Sequence, residues 1–247
     1  MKCTNSHLPL VFLLFFNCSI VGEDAQSIID KSISAHGGNL YENSTVEFDF
    51  RNRHYQFERN KGLYTYHRIF SDSLGTYHDV LNNDGFTRFL NEQQIKVTSE
   101  WQNRYSNSIN SVAYFAYLPF GLNDPAVNKK LIGEEEINEN YYYQIEVTFN
   151  QHGGGEDFED VFVYWINREN FFMEYFGYYY ITDGGGIRFR EAFNSRTIKG
   201  LTFSDYVNYA GEKGNTNVAG LGELFKSGKL NKLSEIKIEN LNIILYN

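Results

Sequence analysis

The segment NFFMEYFGYYYITDGGGIRFREAF, residues 170–193, predicts two β-strands joined by a glycine-rich turn. Successive side chains of a strand point to opposite faces, so a strand with one wet face should carry a polar residue at every second position. Residues 171–181 do not follow this pattern, because both faces are aromatic. One face carries Phe172, Phe176, Tyr178 and Tyr180, and the other carries Phe171, Met173, Tyr175 and Tyr179. This predicts a central strand with a helix on one face and a core or cavity on the other.

The rest of the chain predicts a mostly β fold. Phe and Tyr are abundant, with 21 and 19 copies, and aromatic residues favour strands. Short alternating segments such as VEFDF are separated by turn signals such as NKG and NNDG. Helical spacing occurs in the neighbourhoods of residues 23–36 and 101–118, and LGELFKSGKL, residues 221–230, suggests a further short helix. We therefore expect residues 23–247 to form a single domain, a curved antiparallel sheet or incomplete β-barrel covered by helices.

Residues 1–22 have the features of an export signal. Lys2 provides a positive start, and the apolar run from Leu8 to Phe16 is too short to span a bilayer. Cys18 follows this run after a single residue, Asn17, at the place where a bacterial lipoprotein carries its acylated cysteine. The alternative is ordinary cleavage after Gly22. Cys3 and Cys18 are the two cysteines of the chain, and we favour acylation of Cys18 as a lipid anchor.

Charge and motifs narrow the classes of function. The net charge of −9, without a basic cluster, argues against nucleic-acid binding. The sequence has no GxSxG elbow, HExxH pair or Walker A loop. We therefore predict no catalytic residue, no metal and no cofactor.

The aromatic strand suggests where a ligand would bind. Tyrosine suits a cavity wall that is partly apolar and partly wet, because its buried hydroxyl needs a partner. The opposite wall would be the helix near residues 101–118. Arg188 and Arg190 share one strand face and have two interpretations. Alternation alone favours an exposed face with cross-strand ion pairs, whereas in a cavity they would meet an anionic head group. The predicted wall comprises Phe172, Phe176, Tyr178, Tyr180, Tyr114, Phe115, Leu118, Arg188 and Arg190.

Three histidines have competing interpretations. AHGG, residues 35–38, has two interpretations, a helix end or a site with a catalytic His36. We favour the helix end, in which the glycines adopt left-handed conformations and His36 lies near the negative end of the helix dipole. His54 and His78 lie in predicted strands. If either met a carboxylate within a solvent-filled cleft, the protein would be an envelope enzyme, a hydrolase or lyase, rather than a binding protein.

Together, the leader, the helix ending in AHGG, the long meander and the segment YWINREN resemble uncharacterised bacterial envelope proteins with the LolA/LolB-type lipoprotein-carrier fold. The similarity extends over most of residues 25–209 and includes SVAYFAYLPFGLNDPAV. It implies an apolar cavity that accepts acyl chains between a half-barrel and its helices. We therefore expect an exported, monomeric protein of the periplasm or outer membrane that carries or senses a lipid or another apolar ligand.

Overall fold

The computed structural model describes residues 23–152, 159–181 and 184–246. The predicted leader with Cys18 lies outside these residues. Within them the chain forms three α-helices and fourteen strands, which confirms the mostly β fold class. No helix in these ranges combines the length and hydropathy needed to cross a membrane.

The first sheet is a meander of six strands completed by the last strand of the chain. Tight turns separate its members. At one of them Lys61 and Gly62 have φ of 51° and 84°, the positive values that a two-residue hairpin turn needs. The strands are β1 (Asn43–Phe50), β2 (Arg53–Asn60), β3 (Leu63–Asp72), β4 (Gly75–Asn82), β5 (Gly85–Leu90), β6 (Gln93–Ile95) and β14 (Glu239–Leu245). Their order is β14-β1-β2-β3-β4-β5-β6, antiparallel throughout.

The second sheet is also antiparallel and also has seven strands. They are β7 (Val127–Ile137), β8 (Asn140–Phe149), β9 (Val161–Asn167), β10 (Met173–Tyr180), β11 (Gly186–Ile198), β12 (Leu201–Ala210) and β13 (Asn231–Ile236). They follow one another across the sheet in chain order, so each strand pairs with its neighbours in sequence. This order places β10 in the middle of the sheet.

The two sheets adjoin at one corner and are open at the other. β13 pairs with β12, and after two residues β14 pairs with β1. Among the described strands, β14 and β6 are the edges of the first sheet and β13 and β7 those of the second; the chain between β6 and β7 forms α2 (Ser99–Ala116). The sheets are therefore not closed into a barrel, in agreement with the predicted incomplete barrel.

Helix α2 occupies the space between the two sheets. One side of it, with Ile109, Ala113 and Tyr117, packs in a core cluster with the first sheet. The adjacent side, with Tyr114 and Phe115, packs in a second cluster with the second sheet. A helix with apolar residues on more than one side is buried by more than one partner.

The central strand β10 explains the doubly aromatic segment. On one face Phe115 of α2 stacks on Phe176, with ring centroids 5.9 Å apart. On the other face Tyr175 contacts Phe225 of the short helix α3 (Leu221–Lys226), with ring centroids 5.6 Å apart. Both faces are therefore covered by helices.

Helix α1 (Ala25–His36) ends as AHGG predicts. The carboxylate of Asp24 accepts a hydrogen bond from the backbone N–H of Ser27 at its start, and Gly37 ends it with a φ of 131°. His36 is buried, and desolvation lowers its pKa to about 4. The neutral ring makes no charge–dipole interaction, contrary to the expectation for this helix end. Its Nδ1 instead lies 2.8 Å from the carbonyl oxygen of Ser32.

Candidate functional site

A cavity of about 330 Å³ lies where α2 faces the corner between the two sheets. Its volume is within the range of small-molecule sites, roughly 300–1,000 Å³. Seven lining residues are apolar: Phe48, Phe50, Val112, Phe115, Ala116, Ile236 and Ile238. Six are polar or charged: Arg51, Ser108, Ser111, Arg190, Ser204 and Tyr206. The cavity therefore has a mainly apolar wall with a few polar groups.

Four distant segments build this cavity. The end of β1 provides Phe48 and Phe50, and α2 provides residues three to four positions apart, which share one helix face. β11 and β12 provide Arg190 and Tyr206. The turn between β13 and β14 closes the corner with Ile238.

Arg190 is the charged group closest to the aromatic rings of this region. Its guanidinium carbon lies 4.7 Å from the ring centroid of Phe115 and 5.3 Å from that of Phe176. Its Nη2 donates to the Tyr178 hydroxyl at 3.0 Å. Within the described residues, no acceptor lies within hydrogen-bonding distance of its buried Nε, and no carboxylate forms a salt bridge with it. Arg190 therefore offers a cation to the cavity.

Tyr206 contributes a neutral hydroxyl to the cavity wall. It is almost fully buried, and desolvation raises its pKa well above the usual value for tyrosine. Its ring lies edge-on to Phe176, with centroids 5.2 Å apart. At neutral pH this residue can therefore accept or donate a hydrogen bond but does not oppose an anion with a charge of its own.

Of the nine predicted wall residues, Phe115 and Arg190 line the cavity. Phe176 and Tyr178 lie directly behind them. Phe115 stacks on Phe176, and the ring centroids of Phe115 and Tyr178 are 6.1 Å apart. These four residues thus form one contiguous group. Strand β10 does face helix α2, as predicted. The two elements pack directly against each other, however, and the cavity lies to one side of their contact.

Tyr114 and Leu118 belong to the packed core instead. The hydroxyls of Tyr114 and Tyr164 lie 2.8 Å apart, and Leu118 is buried in the same cluster. Tyr180 and Arg188 form a separate pair, because Nη2 of Arg188 donates to the Tyr180 hydroxyl at 2.7 Å. The cross-strand partners of Arg188 and Arg190 are therefore tyrosine hydroxyls, and the expected ion pairs are not among the described salt bridges.

Phe172 lies apart from the predicted wall. The strand begins at Met173, and Phe172 packs on His36 of α1, with ring centroids 4.9 Å apart. The pairing of β10 with β9 shifts between Met173 and Tyr175, a bulge that adds one residue. The extra residue reverses the alternation, so Met173 shares a core cluster with Phe176. The expectation that Phe172 and Phe176 share one strand face is therefore wrong.

The histidines predicted for an enzyme lie away from this cavity. Nδ1 of His54 is 2.8 Å from the Asp49 carboxylate, but both side chains are more than a third exposed on the outer face of the first sheet. His78 contacts His67 on that same face, with ring nitrogens 2.8 Å apart. His54 thus meets a carboxylate at an exposed position, whereas the enzyme hypothesis required such a pair within a cleft.

Sequence reasoning did not identify most of the cavity lining. For Phe48 and Phe50 the sequence does contain an indication, because the alternation in VEFDF predicts that one face of β1 is buried. Ser108 and Ser111 had none, since small polar residues are common on exposed helix faces. Ile236 ends β13 and Ile238 precedes β14, and the residues between these two strands include no proline or glycine that would indicate the break.

Two solved structures of other proteins resemble this fold. A LolA superfamily protein from Nitrosomonas europaea is structurally similar, with a TM-score of 0.50 and 13% identity over 92% of this chain and 95% of that one. A DUF1329 family protein from Desulfovibrio piger has a TM-score of 0.49 and 12% identity over 88% and 92%. A search of curated protein sequences finds no significant match. The fold is thus LolA-like, as the sequence features suggested.

One family model matches nearly the whole chain. It covers residues 7–240 and is described as a family of unknown function, DUF6503. The match includes every residue that lines the cavity, from Phe48 to Ile238. The chain therefore belongs to the DUF6503 family.

Proposed function

We propose that this protein binds an amphipathic molecule, with an apolar chain and a negatively charged group, in the cavity beside α2. The observation that carries the proposal is the combination of an apolar lining with Arg190, a cation that makes no salt bridge within the described residues. A purely apolar ligand would leave Arg190 uncompensated. A small polar ligand would leave Phe48, Phe50 and Ile238 without a partner.

The energetics support an apolar chain. Removing a CH₂ group from water contributes about 0.8 kcal/mol, so a chain of several carbons supplies substantial affinity in an apolar cavity. A charge-assisted hydrogen bond to an arginine adds about 1.5–3 kcal/mol. The LolA-like fold agrees with this, because the resemblance implies a cavity that accepts acyl chains.

The proposal includes a cellular setting. A lipid-binding protein of this fold would act as a carrier or sensor in the bacterial envelope, after export by the leader and with an anchor on Cys18. We propose that the folded part works as a monomer, since the cavity is built within one chain.

A pair of α2 variants tests whether ligand enters this cavity. Ser111 lines it, whereas its neighbour Asn110, which is exposed as Ser111 is, lies outside the lining. Ser111→Phe should weaken binding of the neutral fluorescent probe N-phenyl-1-naphthylamine at least tenfold, because the ring occupies the entrance. Asn110→Phe adds the same ring to the same helix and should bind as the wild type does. Equal affinities of the two variants would refute the site.

A pair of arginine variants tests the anionic group. Arg190→Gln should weaken binding of the fatty acid cis-parinaric acid by about tenfold, the loss of one charged hydrogen bond. Arg188→Gln removes the same charge two residues away, at a side chain outside the cavity lining. Its affinity should match that of the wild type. If the two variants lose affinity equally, Arg190 does not contact the ligand.

A further inference from the structure

A second, more polar cavity of about 370 Å³ lies further along α2, on the inner face of the first sheet. Its charged lining residues are Arg53, Arg68, Arg88 and Asp72. Ser108 of α2 lines both this cavity and the one described above, so the two are neighbours.

Two of these arginines share one buried carboxylate. Arg68, Asp79 and Arg88 are cross-strand neighbours on β3, β4 and β5. Asp79 is completely buried and accepts hydrogen bonds from Nε of Arg68 at 2.9 Å and from Nε of Arg88 at 2.6 Å. One carboxylate balances one guanidinium, so the trio keeps a surplus positive charge. Holding such a charge away from water is costly unless an anion approaches it.

Arg53 places a third guanidinium beside those of Arg68 and Arg88. The guanidinium carbons of Arg53, Arg68 and Arg88 lie 5.1, 5.9 and 5.9 Å from the ring centroid of Phe70. Three cations are thus gathered around one ring. The side chain of Asp79 holds two of them in fixed positions, and Arg68 is further fixed because its Nη1 donates to Ser108 at 2.9 Å.

The distribution of charge over the chain strengthens the argument. The protein has a net charge of −9, yet five of its ten arginines line these two cavities, Arg51 and Arg190 in one and Arg53, Arg68 and Arg88 in the other. Among the described lining residues, Asp72 is the one acid. Even when Asp72 is counted together with the buried Asp79, the three arginines of the second cavity outnumber its carboxylates by one.

We propose that the cluster of Arg53, Arg68 and Arg88 is a binding site for a phosphate group. The planar forks of arginine match the oxygens of phosphate, and three of them around one cavity suit a group with more than one negative charge. The phosphate has two possible sources, the head group of a lipid whose chain lies in the neighbouring cavity, or inorganic phosphate. The lipid case rests on the proposed function, and the inorganic case does not.

Calorimetric titration of the full chain with two ligands tests the site. The ligands are inorganic phosphate and lysophosphatidic acid below its micelle concentration. Arg53→Gln is the informative variant, because Arg53 is exposed and its loss leaves the buried trio intact. Arg104→Gln is its matched control, an exposed arginine on α2 outside both linings. Arg53→Gln should weaken binding about tenfold relative to Arg104→Gln.

The pattern of binding identifies the source. If Arg53→Gln weakens only the lipid, the site holds a head group; if it weakens inorganic phosphate as well, the site recognises the phosphate itself. Equal affinities of the two variants for both ligands would overturn the site. Binding of N-phenyl-1-naphthylamine to the wild type is measured in parallel. Its absence would contradict the proposed function while leaving a phosphate site with inorganic phosphate intact.

Discussion

Nη2 of Arg190 donates a hydrogen bond to the hydroxyl of Tyr178 over 3.0 Å, although the two residues lie on neighbouring strands and are diagonal rather than opposite. The guanidinium also lies 5.4 Å from the centroid of the Tyr178 ring. Tyr178 therefore fixes Arg190 by its hydroxyl and by its ring. No carboxylate in the part of the chain that the structure describes forms a salt bridge with this cation.

Tyr178→Phe isolates the contribution of the hydroxyl. The ring and its packing remain, so we expect the fold to persist. The guanidinium loses a hydrogen bond worth about 1 kcal/mol, which corresponds to a roughly fivefold weaker affinity for cis-parinaric acid. Titration of the probe by fluorescence measures this.

The control for Tyr178→Phe is the corresponding change in the neighbouring pair. Tyr180→Phe removes the hydroxyl that accepts from Arg188, outside the cavity lining. Its affinity for the same probe should match that of the wild type. A Tyr178→Phe protein that binds as tightly as Tyr180→Phe would show that the hydroxyl does not position Arg190.

The fold was predictable from the sequence because its signals are local. Alternation in VEFDF, turns such as NKG and the doubly aromatic segment each depend on a few adjacent residues, and together they indicate sheets covered by helices. The segment around Phe176 also identified correctly which strand packs under α2.

The site was only partly predictable, for two physical reasons. The bulge between Met173 and Tyr175 depends on the pairing with β9, which local alternation does not report, and it removed Phe172 from the predicted wall. The cavity itself depends on how β1, α2, β12 and the corner at Ile238 meet. The lining extends from Phe48 to Ile238, so it joins segments that are far apart in the chain, and no short pattern encodes their meeting.

Gly177 is predicted to be essential for the packing of α3 on β10. A Cβ at this position would lie 2.5 Å from Cδ1 of Leu221, which is fully buried, and 3.2 Å from the carbonyl oxygen of Arg188. Gly177→Ala should therefore lower the free energy of unfolding by about 1–3 kcal/mol, as other overpacked cores do. Urea denaturation measures the change.

Gly121→Ala provides the comparison for Gly177→Ala. A Cβ there would meet its nearest neighbour, in the ring of Tyr114, at an ordinary 3.6 Å. We expect a change in the free energy of unfolding within about 0.5 kcal/mol. If both alanine variants were equally stable, Leu221 would have room to move, and the close contact between α3 and β10 would not limit this position.

His36 is predicted to make stability depend on pH. Burial lowers its pKa in the folded state to about 4, below the 6.5 of an unfolded chain. The neutral form is therefore favoured by folding, and this contribution is complete above pH 6.5 and is lost as the pH falls towards 4. Each unit of pKa difference corresponds to about 1.4 kcal/mol, so the wild type should lose up to about 3 kcal/mol across this window.

Replacing His36 separates its contribution from those of other titrating groups. His36→Gln should be less stable at pH 7 but should show a shallower decline between pH 6.5 and 4, measured by urea denaturation at several pH values. His152→Gln, at an exposed turn, should keep the slope of the wild type. Parallel curves for His36→Gln and the wild type would mean that His36 remains accessible to protons.

The last prediction concerns Cys18, which we expect to be acylated after export. Expression of the full chain in a bacterium with labelled palmitate should yield a membrane-bound protein that carries the label and whose N-terminal residue is the modified Cys18. Cys18→Ser should lose the label and leave the membrane fraction, since several acyl chains are needed for firm anchoring. Cys3→Ser, the same substitution at the other cysteine of the leader, should retain both the label and the membrane location. A mature protein that begins at an unmodified Glu23 would instead establish ordinary cleavage after Gly22, and the ligand cavity would then belong to a protein released from the membrane.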